Sequence, residues 1–142
     1  LILFLMSVTL VEAHNQKELR MNHSKENLSM LFTAIMHVET GGEPNPMYAV
    51  GKSKEIGPFQ ISYEYFLDSG VEGTWTQNCL YVDRSVKVMK AYWNRYSKEG
   101  TWEEYTRIHN GGPNGMKNPN TLGYWEKVLK LIDNQRQTEL GL

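Results

Sequence analysis

Cysteine is nearly missing from this sequence: Cys79 stands alone among 142 residues. An internal disulfide is therefore excluded. A cysteine-built metal centre is excluded too, because such sites need several thiolates. Cys79 is left as a small buried hydrophobe, or as a thiol able to link two chains. The chain also lacks an excess of either charge. Its 15 basic and 16 acidic side chains give a net charge of −1, which offers no basic face to capture nucleic acid. No internal repeat or low-complexity tract occurs, and nothing points to a cofactor or a metal. Long apolar runs are missing except in residues 1–13, LILFLMSVTLVEA. That run falls short of the ~20 residues that span a bilayer, so no membrane span is expected. It reads instead as the apolar region of a signal peptide without its initiator and charged start, cleaved after Val11-Glu12-Ala13. The mature chain is then secreted and begins at His14.

What is present suits one soluble domain, residues 14–142, with 40% apolar and 22% charged residues. Four Trp and eight Tyr supply aromatic faces for a core and for flat sugar rings. After a polar lead-in over 14–23, Ser24 can cap a helix running to Thr40. Leu28, Leu31, Phe32, Ile35 and Met36 recur along one face of it, and Glu39 continues that stripe. The helix thus carries a carboxylate along its apolar side. Burial disfavours the charged form of a carboxyl group, which is the setting a general acid needs. His37 falls off the stripe and is read as a surface residue.

Thr40-Gly41-Gly42 and two prolines end this helix. Residues 47–50 and 56–62, joined by a polar turn, suggest a small β-hairpin. A short helix then begins at Tyr63 and stops at Ser69-Gly70, and 70–79 reads as a loop. A helix over 81–98 has Val82, Val86, Met89, Trp93 and Tyr96 on its core face, with Gly100 as its stop. Thr101 and Glu104 have capping-box spacing, and Trp102, Tyr105 and Ile108 give the next helix its apolar edge. That helix runs into a loop over 109–115, HNGGPNG. Asn120 or Thr121 caps a last helix with Trp125, Val128, Leu129 and Ile132 inward, and 133–142 frays. The sum is an α+β fold, mainly helical, with a small β element after the first core helix.

Three segments share a further pattern: VETG over 38–41, GPFQI over 57–61, and RIHNGGPNG over 107–115 with LGYW at 122–125. Together they resemble the invertebrate-type lysozymes, the family that includes the leech destabilases, across residues 28–132. The glutamate and GPFQ alone are shared by many lysozyme-like folds, whereas RIHNGGPNG followed by LGYW is specific. The resemblance implies a lysozyme-like fold and hydrolysis of the β-1,4 link between N-acetylmuramic acid and N-acetylglucosamine in peptidoglycan. The chain is expected to be a monomer. It assigns Glu39 as proton donor. It assigns groove contacts to Ser62, Tyr63, Glu64, Tyr65, Phe66, Leu67 and Asp68, to Tyr92, and to His109, Asn110, Gly111 and Lys117. The Gln60 amide suits the same glycan hydroxyl and acetamido groups.

Two departures stand out. The family is typically cysteine-rich, so this chain's stability must rest on packing. The family's catalytic aspartate lies about eleven residues after the glutamate, where this chain has Val50. Of the nearby acids Glu43, Glu55 and Asp68, Glu55 is the candidate second carboxylate. Three functions follow: a muramidase, a lytic transglycosylase working with Glu39 alone, or an inactive peptidoglycan- or chitin-binding module.

Overall fold

The computed structural model describes residues 28–139 and 141. The expected signal segment, the polar lead-in and the Ser24 cap lie outside the described residues. Among the described residues six α-helices follow one another: α1 (Leu28–Thr40), α2 (Tyr63–Ser69), α3 (Trp75–Cys79), α4 (Val82–Tyr96), α5 (Trp102–Gly111) and α6 (Leu122–Glu139). Three 3-10 turns, Pro46–Tyr48, Gly115–Lys117 and Pro119–Thr121, sit between them. α1 packs on α6, α2 and α3 pack on α4, and α5 lies between α4 and α6.

The sequence predicts most of these boundaries for physical reasons that the structure repeats. Ser62 accepts a hydrogen bond from the Tyr65 N–H at the start of α2, and Gly70 ends it in the left-handed region. Thr101 and Glu104 form the capping box of α5. Leu31, Ala34 and Ile35 of α1 are fully buried, and His37 is exposed. A column of rings runs through the core. Phe32 stacks on Trp93 at 5.3 Å, Trp93 stacks on Tyr105 at 4.6 Å, and Phe32 meets Phe59 edge-on at 6.0 Å.

Elsewhere the structure departs from the expectation. The hairpin is reduced to two isolated antiparallel bridges, Val50 with Ile56 and Ile56 with Ile61, and no strand forms among the described residues. Tight turns explain this. The Gly51 N–H donates to the Glu55 carbonyl and the Gln60 N–H to the Gly57 carbonyl, so too few residues remain between turns to build a ladder. Pro46 at the start of a 3-10 turn takes Met47 and Tyr48 out of any strand. Residues 70–79 are not all loop, because Thr74 and Gln77 form a capping box that starts α3.

The buried face of α4 is rotated from the predicted one. Ser85, Val88, Met89, Tyr92 and Trp93 are buried, whereas Val82 is exposed and Val86 and Tyr96 are half-buried. α2 and α3 pack against the Ser85 and Tyr92 side, and the Ser85 hydroxyl donates to the Asn78 carbonyl at 3.3 Å. α5 does not end at His109 but continues to Gly111, since Gly112 is the residue with positive φ. In α6, Val128 and Ile132 point inward but Leu129 is exposed. The predicted frayed tail is instead helical through Glu139, with Arg136 lying over the Trp102 ring at 5.5 Å.

Cys79 is fully buried, and burial pushes its thiol pKa up to about 12. It is a packing residue, and the reading of it as a link between chains fails. The native protein is expected to show no thiol reactive to Ellman's reagent at pH 8, and one after denaturation. A second test concerns Gly57, which has φ +75° and where a Cβ would stand 1.9 Å from the Cys79 carbonyl oxygen. Gly57→Ala must move backbone, so a loss of roughly 2 kcal/mol or more is expected in chemical unfolding.

Candidate active site

The last turn of α1 opens onto a cavity of about 560 Å³. Its wall includes Glu39, Gly51, Lys52, Glu55, Gln60 and Ser62, then Glu64, Tyr65 and Asp68 from α2, Tyr92 from α4, and His109 and Asn110 from α5, with Gly112 and Pro113. A second hollow adjoins it through Glu39 and Gln60 and is lined by Thr40, Glu43, Asn45, Tyr48, Ala49 and Val50. The two make one groove with Glu39 near its middle.

Glu39 is held from two other helices. Its side chain is 18% exposed, so it is neither in bulk water nor sealed off. The Tyr124 hydroxyl, in the first turn of α6, donates to Oε1 at 2.6 Å. His109 Nε2 lies 3.4 Å from the same oxygen and 3.1 Å from the Phe59 carbonyl oxygen. An imidazole nitrogen facing two acceptors carries the proton, which leaves Nδ1 to accept from the Tyr65 hydroxyl at 3.3 Å. Burial holds the Tyr65 phenol pKa well above its ordinary value, with Tyr92, Cys79 and Glu39 adding to it. Burial likewise raises that of Tyr124, followed by the Glu39 charge and its hydrogen bond. Both phenols remain donors throughout the neutral range.

The floor beside Glu39 is built from the turn over 57–60. Gln60 has φ +46°, uncommon outside glycine, and its amide Nε2 donates to the Gly57 carbonyl at 2.8 Å and the Ala49 carbonyl at 3.1 Å. Both donors are thus committed to backbone, and its carbonyl oxygen is turned toward Gly51. A Cβ on Gly51 would lie 2.3 Å from Glu55 Oε2 and 2.7 Å from Gln60 Oε1. The Glu55 carboxylate therefore occupies the space over Gly51 that a side chain would otherwise fill. The Ser53 N–H donates to Glu55 Oε2 at 3.1 Å.

On the far wall Tyr92 is 3% exposed and stacked on Tyr65 at 3.7 Å, so it serves the core and the groove at once. Burial pushes its phenol pKa up to about 12, with Tyr96 and Asp68 adding to the rise. Asp68 accepts from the Tyr96 hydroxyl, and Arg95 Nη1 lies 3.5 Å from its carboxylate.

Of the residues singled out in the sequence, Glu39, Glu55, Gln60, Ser62, Glu64, Tyr65, Asp68, Tyr92, His109 and Asn110 meet in this groove. Five do not. Phe66 faces the core at 4% exposed, Leu67 points to solvent at 56%, and Tyr63 lies edge-on to Trp75. Gly111 packs on Thr121, where a Cβ would stand 2.5 Å from Cγ2, and Lys117 sits in the 3-10 turn Gly115–Lys117 outside the groove wall. For Tyr63, Phe66 and Leu67 the helical period is the reason: they lie in α2, and only one side of it can face the groove.

Sequence reading missed Tyr124, Gly51, Lys52, Gly112 and Pro113. Tyr124 stands in the LGYW segment already singled out, and its place one helical turn before Val128 was the signal for it. RIHNGGPNG also has a structural half. Arg107, buried in α5, donates to the Thr121 hydroxyl at 2.8 Å and the Met116 carbonyl at 3.0 Å, and pairs with Glu103 at 2.8 Å. It ties the glycine-rich loop to α5 and so fixes where α6 presents Tyr124. Among the described residues no three His, Cys, Asp or Glu side chains converge as metal ligands, and no helix is long and apolar enough to cross a membrane.

Comparison with known proteins gives consistent results. No family model matches the chain. A lysozyme of Magallana gigas is 39% identical over 106 residues, which cover 70% of this chain and 77% of that protein. Invertebrate-type lysozyme 6 of Caenorhabditis elegans is 34% identical over 94 residues, covering 56% of this chain and 68% of that one. Lysozyme 1 of Crassostrea virginica is 37% identical over 99 residues, and there the match spans 54% of the relative's length and 66% of this chain. The crystal structure of Tapes japonica lysozyme superposes with a TM-score of 0.62 at 30% identity, covering 70% of this chain and 85% of that one. An inhibitor-bound Meretrix lusoria lysozyme gives 0.62 at 27% identity, covering 71% and 87%.

The buried phenols set an alkaline limit on the fold. Above about pH 10 the unfolded chain ionises tyrosines that the native state keeps neutral, so the raised Tyr65 and Tyr124 pKa values stabilise fully below that pH and lose their effect as pH rises. Urea unfolding between pH 9 and 12 is expected to show stability falling by roughly 1.4 kcal/mol per pH unit for each such phenol. Tyr65→Phe should flatten the fall.

Proposed function

This chain belongs to the invertebrate-type lysozyme family, and on that premise we propose that it hydrolyses the β-1,4 bond between N-acetylmuramic acid and N-acetylglucosamine in bacterial peptidoglycan. It acts outside the cell, as a monomer. The observation that carries the reading is the place of Glu39: a half-buried carboxyl group at the middle of a groove walled by amides, hydroxyls and aromatic edges. Such a wall suits sugar hydroxyl and acetamido groups. Gln60 Oε1, Ser62, the edge of Tyr92 and Asn110 are the polar groups that glycan meets on either side of the acid.

In this reaction Glu39 gives its proton to the glycosidic oxygen as the bond to the anomeric carbon breaks, and water adds at that carbon, passing one proton to the second carboxylate. Glycosidases of this kind use a second carboxylate, about 5 Å away in retaining enzymes and about 6.5–9.5 Å away in inverting ones. We assign that part to Glu55, in step with the substrate's own acetamido group. Val50, at the family's aspartate position, is 70% exposed and has no acid to offer. Glu55 folds back over the neighbouring Gly51 and lines the same groove as Glu39. The missing side chain at 51 is what admits it.

Glu39→Gln is expected to abolish clearing of a bacterial wall suspension while chitooligosaccharide binding persists. Clearing at the wild-type rate would sink the reading. Glu55→Gln should lower kcat by about a hundredfold or more, the scale of lost acid–base help. Gly51→Ala should lower it too, since a methyl group there displaces the Glu55 carboxylate without removing it. Wild-type kcat in both variants would leave the acetamido group as the water's only partner.

A further inference from the structure

Glu39 has two carboxylate oxygens in unequal surroundings. Oε1 receives the Tyr124 hydroxyl at 2.6 Å and faces His109 Nε2 at 3.4 Å. Oε2 has no hydrogen-bond or ionic partner among the described residues, and the residue lines the groove. An oxygen that already accepts a 2.6 Å hydrogen bond from the Tyr124 hydroxyl is the poorer place for the carboxyl hydrogen. The hydrogen therefore sits on Oε2, the oxygen left for the substrate.

We propose that Tyr124 is a positioning residue for Glu39: its hydroxyl occupies Oε1, so the proton that is transferred is carried on Oε2 and faces the glycosidic oxygen. The proposal rests on the general-acid reading of Glu39. In the step itself the Oε2–H bond breaks and the proton passes to the leaving oxygen. That oxygen takes the electron pair of the broken bond to the anomeric carbon. The negative charge left on the carboxylate is then met at Oε1 by a donor already in place, the Tyr124 hydroxyl.

The surroundings suit this role. α6 brings Tyr124 and α5 brings His109, and α2 brings Tyr65, which holds the imidazole through Nδ1. The remaining charged groups that line the groove are Lys52, Glu55, Glu64 and Asp68 on one side of Glu39 and Glu43 on the other. None of these five is bonded to the Glu39 carboxylate.

The test pairs kinetics with a readout that needs no turnover. On a soluble chitooligosaccharide, Tyr124→Phe is expected to lower kcat about tenfold or more, the scale of one lost bond to a charged group, with KM within about twofold. A folded Tyr124→Phe protein with unchanged kcat overturns the proposal. Separately, with tyrosine labelled at 13Cζ, the Tyr124 resonance should shift in Glu39→Gln relative to wild type. No shift overturns the proposal even in an active enzyme. A shift in a wild type that cleaves nothing upholds the contact and fails the hydrolase reading instead.

Discussion

The structure depends on one carboxylate oxygen being shared between two helices. Glu39 ends α1, yet its Oε1 is held by Tyr124 from α6 and faced by His109 from α5. A half-buried carboxylate costs free energy unless donors meet it. Much of the chain is arranged so that they do. α1 packs along α6, Arg107 ties the loop between α5 and α6 to the buried Thr121, and the stacked Tyr65 and Tyr92 set the ring that orients His109. The helix bundle is in this sense the scaffold of a single acid, and the groove is what the bundle leaves open above it.

A chain without disulfides must hold that arrangement by packing. The column of Phe32, Trp93 and Tyr105, with Phe59 at its side, joins α1, α4 and α5 to the turn that forms the groove floor. Arg136 on Trp102 extends the last helix past the point where its polar sequence predicts fraying. Cys79, the one cysteine, is a buried packing residue, and its backbone carbonyl makes the close approach to Gly57.

Helix starts and stops were legible in the sequence because they are local. Ser62, Gly70, Thr101 and Glu104 act on backbone groups within a few residues, and each does so in the structure. Glu39 was legible because it continues an apolar stripe. What depended on neighbours was not. Helical period permits two adjacent faces on α4, and only the positions of α2 and α3 select the one with Ser85 and Tyr92. The run 62–68 read as a groove segment, but as a helix it can turn only Ser62, Glu64, Tyr65 and Asp68 toward the cavity. Tyr124 lies 85 residues from Glu39, and nothing in the sequence shows that its hydroxyl reaches that carboxylate. Glu55 was visible as an acid near the turn, while the reason it can fold inward, the missing side chain at Gly51, appeared only in three dimensions.

The central claim is that Glu39 drives addition of water to a glycosidic bond, and the isotope carried by the products tests it most directly. Purified peptidoglycan digested in H2(18)O should yield fragments whose new reducing ends each carry one 18O, with none above background for Glu39→Gln. Fragments ending in 1,6-anhydro sugars without 18O, or labelled ends formed equally well by Glu39→Gln, would contradict it.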